Sequence, residues 1–74
     1  MNRLRDLRED KNLIQKDIAK ILNVATRTYS GYETENREMS YNSLREMARF
    51  YNTSIDYILG LTNIKKPYPR SKGK

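Results

Sequence analysis

The side chains best suited to chemistry in this sequence are short hydroxyls and one guanidinium gathered in a single stretch. Thr26, Arg27, Ser30, Gly31 and Thr34 recur on one side of a helical repeat whose other side carries Tyr29 and Tyr32. Hydroxyls and a guanidinium fork at that spacing suit the edges of base pairs in a DNA major groove. The remaining candidates are acids, Asp6 with Asp10 and Glu33 with Glu35. Paired carboxylates do general acid–base work only where a cleft buries them and shifts their pKa values. The sequence has no Cys and no His, which removes disulfides, thiol chemistry and the common zinc sites. It also has no Gly-rich phosphate loop. The expectation is a non-enzyme with no metal, no cofactor and no small-molecule ligand. Six tyrosines invite a stacking platform for single-stranded nucleic acid. Tyr29, Tyr32, Tyr41 and Tyr51 fall at core-facing positions, however, which leaves only Tyr57 and Tyr68 outside the core.

The scaffold for the polar stretch lies within residues 15–34, QKDIAKILNVATRTYSGYET. Ile18, Ala19 and Leu22 share one face of a first helix, Val24 follows a turn, and Tyr29 and Tyr32 mark a second helix. Asn23 stands where the chain reverses, and Asn is among the few residues that adopt the left-handed conformation cheaply. Upstream, Leu4 and Leu7 among charged neighbours predict a short amphipathic helix over residues 2–10. Downstream, residues 35–40 read as a polar loop, and Ser40 is placed to cap a helix carrying Tyr41, Leu44, Met47, Ala48 and Tyr51. Asn52-Thr53 breaks that helix. Ser54 and Asp56 open a last short one with Ile55, Ile58 and Leu59, and Gly60 terminates it. Neither strand alternation nor an internal repeat is present. The fold class expected is all-α, five short helices with a helix-turn-helix formed by the second and third.

A chain of 74 residues supports one small domain of modest stability. Its net charge of +6 is unevenly placed. Five of the fifteen basic residues (Lys65, Lys66, Arg70, Lys72 and Lys74) lie beyond residue 64, leaving ten bases against nine acids before it. A polyanion would have to be met by placed charges and by the tail rather than by bulk positive potential. We divide the chain into a domain at residues 1–62 and a basic, Pro-containing tail at 63–74. Pro67 and Pro69 favour an extended tail, which is either an arm along a phosphate backbone or a solubilising end. The longest apolar run is Tyr57-Ile58-Leu59, so no membrane span is expected, and the charged N-terminus is not a signal peptide. The expected location is the cytoplasm.

Arg3-Leu4-Arg5, Leu7-Arg8, Gln15, Ile18-Ala19, Leu22, Val24, Tyr32-Glu33, Leu44, Ala48 and Asp56-Tyr57-Ile58-Leu59-Gly60 form a joint pattern. Through it, residues 3–62 resemble the helix-turn-helix family of phage Cro and repressor proteins and their bacterial relatives, the XRE family. The resemblance implies a lambda-repressor-like domain whose third helix reads bases with Thr26, Arg27, Ser30 and Gly31. Of these, Arg27 has the fork that matches the two major-groove acceptors of guanine. Gly31 is either a close approach of backbone to DNA or a tolerated weak helical position. The resemblance places Gln15 on the DNA backbone, with Lys16, Ala25, Thr34, Arg37 and Asn42 as further backbone contacts. It also implies that Arg8 and Glu33 form an ion pair tying the first helix to the third, the alternative being two ordinary solvated charges.

Two departures from the pattern concern caps. The second helix usually has a hydroxyl before Gln15, and here Ile14 stands there; the third usually begins with Ser or Thr, and here Ala25 does, with Thr26 as a substitute cap one residue later. Ile21, in a commonly polar place, is an exposed apolar residue or part of a partner contact. The resemblance implies a complete small transcriptional regulator, a repressor acting as a homodimer on a double-stranded DNA operator. The dimer surface would take Phe50, Ile55, Tyr57, Leu59 and Leu61, residues that serve equally as plain core. The competing expectation is an antitoxin or protein-interaction module of the same fold that binds a partner protein.

Overall fold

One device ends four of the five helices. In the computed structural model, which describes residues 2–67, the helices are α1 (Leu4–Asp10), α2 (Gln15–Leu22), α3 (Thr26–Thr34), α4 (Tyr41–Phe50) and α5 (Ile55–Leu59). After α1, α2, α4 and α5 the chain passes through Asn12, Asn23, Asn52 and Gly60, all left-handed, with φ of 58°, 60°, 54° and 81°. Behind each of these the next N–H reaches back into the helix: Leu13 to Arg8 O, Val24 to Ala19 O, Thr53 to Ala48 O and Leu61 to Asp56 O, at 2.8–3.1 Å. These are Schellman closures, which satisfy carbonyls the helix end would otherwise leave open. The α2–α3 turn is thus fixed by Asn23, as its position in the sequence suggests.

The end of α3 differs, because its left-handed residue is Glu35, at φ 66°. A glutamate gains nothing from that conformation, and the compensation comes from the N-terminus. The Asn2 N–H donates to the Glu35 carboxylate at 2.9 Å, and the Asn2 side-chain amide donates to Tyr32 O at 2.9 Å.

Helix starts follow the side chains available. Ser40 Oγ accepts from the Ser43 N–H at 3.1 Å, and Ser54 Oγ from the Tyr57 N–H at 3.0 Å. Ile14 caps nothing, but Asp17 in the first turn of α2 accepts the Ile14 N–H at 3.0 Å, supplying the reciprocal half of a capping box. Ala25 occupies the cap position of α3 in extended geometry, and no side chain bonds there. Thr26 lies inside the helix, so the expectation that its hydroxyl substitutes as a cap is corrected.

Leu4, Leu7, Ile18, Ala19, Tyr29, Met47, Tyr51 and Ile58 form the buried centre, with Leu13, Leu22, Val24, Tyr32, Leu44 and Ala48 packed around it. The core expectation fails at Tyr41, which is 67% exposed and lies under the Arg45 guanidinium, 5.8 Å from its ring centroid. It occupies the first position of α4, before the helix has turned its apolar face inward. Tyr57, expected outside the core, instead packs against it and carries the Arg3 guanidinium 4.2 Å from its ring centroid. The same guanidinium donates to Tyr57 O, Thr62 O and Asn63 Oδ1 at 2.6–2.8 Å, and the Arg3 N–H donates to Ile58 O. Arg3 thereby fastens the chain leaving α5 to the N-terminus. Further on, Thr53 Oγ1 donates to Lys65 O, so residues 61–65 lie back on the domain. Tyr68 lies outside the described residues, as do the basic Arg70, Lys72 and Lys74.

Candidate nucleic-acid interface

The interface is built from the inside of α3 outward. Tyr29 anchors that helix in the core, and Glu33, one turn on, is gripped from α1. Arg8 Nε donates to Glu33 Oε2 at 2.6 Å and its Nη2 to Oε1 at 3.2 Å, a two-point fork. The third arm, Nη1, donates to Leu13 O at 2.9 Å, just ahead of α2. Gln15, the first residue of α2, donates from Nε2 to Glu33 Oε1 at 3.1 Å. The Arg8 and Glu33 side chains are 12% and 5% exposed. Three helices therefore converge on one carboxylate, and both parts of the helix-turn-helix are fixed by it.

The electrostatics follow from this packing. Burial pushes the Glu33 carboxyl up, but the hydrogen bonds from Arg8 and Gln15, with the neighbouring Tyr29 hydroxyl and the Arg8 charge, outweigh it and hold the group below the ordinary carboxylate range. The bond to Glu33 likewise raises Arg8 above its usual value against the cost of burial. Burial drives the Tyr29 phenol strongly upward and Tyr51 up to about 12. Both hydroxyls are buried without a partner at hydrogen-bonding geometry, although Tyr29 lies beside the Glu33 carboxylate. Neither acidic pair noted in the sequence forms a catalytic dyad. Glu33 is committed to Arg8, Glu35 receives the Asn2 N–H, and Asp6 and Asp10 are exposed.

The outer side of α3 carries the candidate base-reading residues. Thr26 and Arg27 are exposed, and Ser30 and Gly31 are half-buried. Arg27 and Gly31 each stand two positions from Tyr29, roughly 160° around the helix from it, and so centre the outward stripe. Thr34 is exposed, but its hydroxyl is turned back on Ser30 O and Gly31 O at 3.2 and 3.3 Å. That spends the proton a phosphate contact would require. Gln15 keeps a second amide N–H beyond the one given to Glu33. Lys16, Ala25, Arg37 and Asn42 are all exposed. Asp17 is the residue whose part the sequence reading missed. The pattern Ile14-x-x-Asp17 lacks the hydroxyl of a capping box, yet the acidic half operates alone.

In and after α4 and α5, Phe50, Leu59 and Leu61 are exposed at 37%, 40% and 73%, and Ile64 is exposed as well. Ile55 and Tyr57 are half-buried. Ile58 is the residue of α5 that closes the core. Ile21 is exposed on α2. No helix of the described residues is long and apolar enough to cross a membrane.

A buried ion pair bracing a tight two-helix turn, with a polar outer stripe on the second helix, defines a helix-turn-helix domain of the Cro/repressor type. The chain belongs to that family: the family described as helix-turn-helix matches residues 4–58. Among its relatives in Bacillus subtilis (strain 168), it is 40% identical over 65 residues to the uncharacterized HTH-type transcriptional regulator YobD, across 88% of this chain and 58% of that protein. It is 34% identical over 71 residues to the HTH-type transcriptional regulator AnsR, across 96% of this chain and 61% of that protein. With the HTH-type transcriptional regulator ImmR the identity is 33% over 64 residues, across 86% and 50%. The chain thus spans about half to three fifths of the length of these curated relatives.

Proposed function

We propose that this chain binds double-stranded DNA sequence-specifically and acts as a transcriptional regulator, in the first instance a repressor. The observation that carries the reading is the outward stripe of α3, with Arg27 exposed at its centre, on a helix locked by Glu33 to α1 and α2. A recognition helix has to arrive in the groove already oriented, and a carboxylate held by two helices provides that orientation. Arg27 takes a guanine, with Thr26 and Ser30 beside it. The free N–H of Gln15, with Lys16, Arg37, Asn42 and the open backbone around Ala25, takes phosphates. Thr34 contributes to this set only if its hydroxyl leaves the carbonyls it now serves.

One recognition helix reads few bases, so the reading includes a homodimer on an operator with two-fold character. Phe50, Leu59 and Leu61 are exposed apolar groups available to such a contact, with the half-buried Ile55 and Tyr57. Selection of bound duplexes from a random library tests the reading. It expects an enriched palindromic motif with a guanine in each half-site. Sedimentation equilibrium in parallel expects a concentration-dependent dimer that Leu61→Asp weakens. An enriched motif with a monomer throughout would remove the dimer alone. Absence of any motif, with these apolar residues still engaging a different protein, would favour the antitoxin-like interaction module.

A further inference from the structure

Gly31 occupies the middle of the outward stripe of α3, where a side chain would be expected to do the reading. The space a Cβ would take there is already lined by Arg37. A Cβ on Gly31 would stand 3.4 Å from Arg37 Cβ, 3.1 Å from Cγ and 3.0 Å from Cδ. The distance shortens along the side chain, so the arginine stem runs onto the helix at Gly31 rather than away from it. Its base is fixed by the backbone, since the Arg37 N–H donates to Gly31 O at 3.1 Å. Arg37 is exposed and is in no ion pair among the described residues. Its methylenes lie on the glycine, and the residue as a whole is exposed.

We infer that Gly31 is the seat of Arg37: the missing side chain lets an arginine from the α3–α4 loop cross the recognition helix and present its guanidinium beside the stripe centred on Arg27. The helix acquires in this way a second cation one turn beyond Arg27, where its own sequence has none. That cation takes a DNA phosphate. Gly31 is a positioning residue and makes no base contact of its own. The inference deepens the proposed DNA-binding reading and rests on it.

A Gly31→Ala substitution brings the new Cβ against the Arg37 stem at distances tighter than ordinary contact, and the exposed stem has to give by a few tenths of an ångström. Helix propensity favours alanine, so the fold is expected to be as stable as before or more so. The test uses a random-sequence duplex titrated at several salt concentrations with wild type, Gly31→Ala, Arg37→Ala and the double variant, each with its thermal midpoint. Expected are a several-fold weaker affinity for Gly31→Ala, a salt slope shallower by about one phosphate contact, an undiminished midpoint, and no further loss in the double variant beyond Arg37→Ala. Equal binding by Gly31→Ala and wild type overturns the inference. Additive losses in the double variant also overturn it, because they assign Gly31 a contact of its own. Failure of wild type to bind any duplex has a different signature and removes the DNA-binding reading itself. In the free protein, nuclear Overhauser contacts between the Gly31 Hα and Arg37 Hγ and Hδ protons are expected. Their absence overturns the seat without reference to DNA.

Discussion

Glu33 ties α3 to both α1 and α2, and its environment sets the sign of two effects. Its carboxylate is almost fully buried and bonded by Arg8 and Gln15. Glu33→Ala leaves the Arg8 charge buried with Leu13 O as its remaining partner. Removing one member of a buried pair costs about 3 kcal/mol or more, and urea unfolding is expected to show that loss with an unchanged m-value. A loss within about 0.5 kcal/mol would reduce the pair to surface decoration. The pH dependence follows from the lowered carboxyl. Unfolded, Glu33 titrates near the ordinary 4.5; folded, it takes its proton only at lower pH. The stabilisation is therefore complete above that ordinary value and is lost as the pH falls through the folded one. Glu33→Gln should flatten the acid limb of a stability–pH profile below about pH 4.5 and leave its shape at neutral pH unaltered. An acid limb as steep as that of wild type would place the titrating group elsewhere.

At the scale of helices, starts and stops were legible wherever the signal is local. Asn23, Asn52 and Gly60 ended helices, and Ser40 and Ser54 began them, because the backbone conformation or hydrogen bond each favours involves only its own turn. The outward stripe of α3 was legible for a related reason, as period and residue type together separate Tyr29 from Arg27. Three features were not. The turn at Glu35 is held by Asn2, 33 residues away, and the Arg3 clamp acts over 54 to 60 residues. The seat of Arg37 on Gly31 arises from the path of a loop. No local pattern encodes such contacts, and for Gly31 the sequence offered only groove approach or tolerance. The uncapped start of α3 yields a prediction at this scale. Ala25 is already extended, as a cap requires, so Ala25→Ser should stabilise the domain by about 1 kcal/mol. Thermal unfolding measures this directly; an unchanged midpoint would mean that the first-turn N–H groups are already satisfied.

Taken whole, the molecule carries its charge at one end. Residues up to 64 hold ten basic and nine acidic side chains, and the basic excess lies beyond. Lys65 is tied to the domain through Thr53, so a truncation that removes residues 68–74 leaves that bond in place while taking away Arg70, Lys72 and Lys74. If those three cations track a phosphate backbone, the salt slope of DNA binding falls by up to about three contacts; a solubilising end leaves the slope unchanged. Either outcome keeps specificity with α3, because a nearly neutral domain has little bulk potential to substitute for placed contacts. Sequence specificity rests above all on Arg27 reading a base. This is tested most directly by measuring the affinity of wild type and Arg27→Ala for the selected operator and for each of its single-base variants. Arg27→Ala is expected to lose about 1–3 kcal/mol of discrimination at one guanine of each half-site and to keep its preferences at the other positions. Identical base preferences in the two proteins, with only a uniform change in affinity, would contradict it.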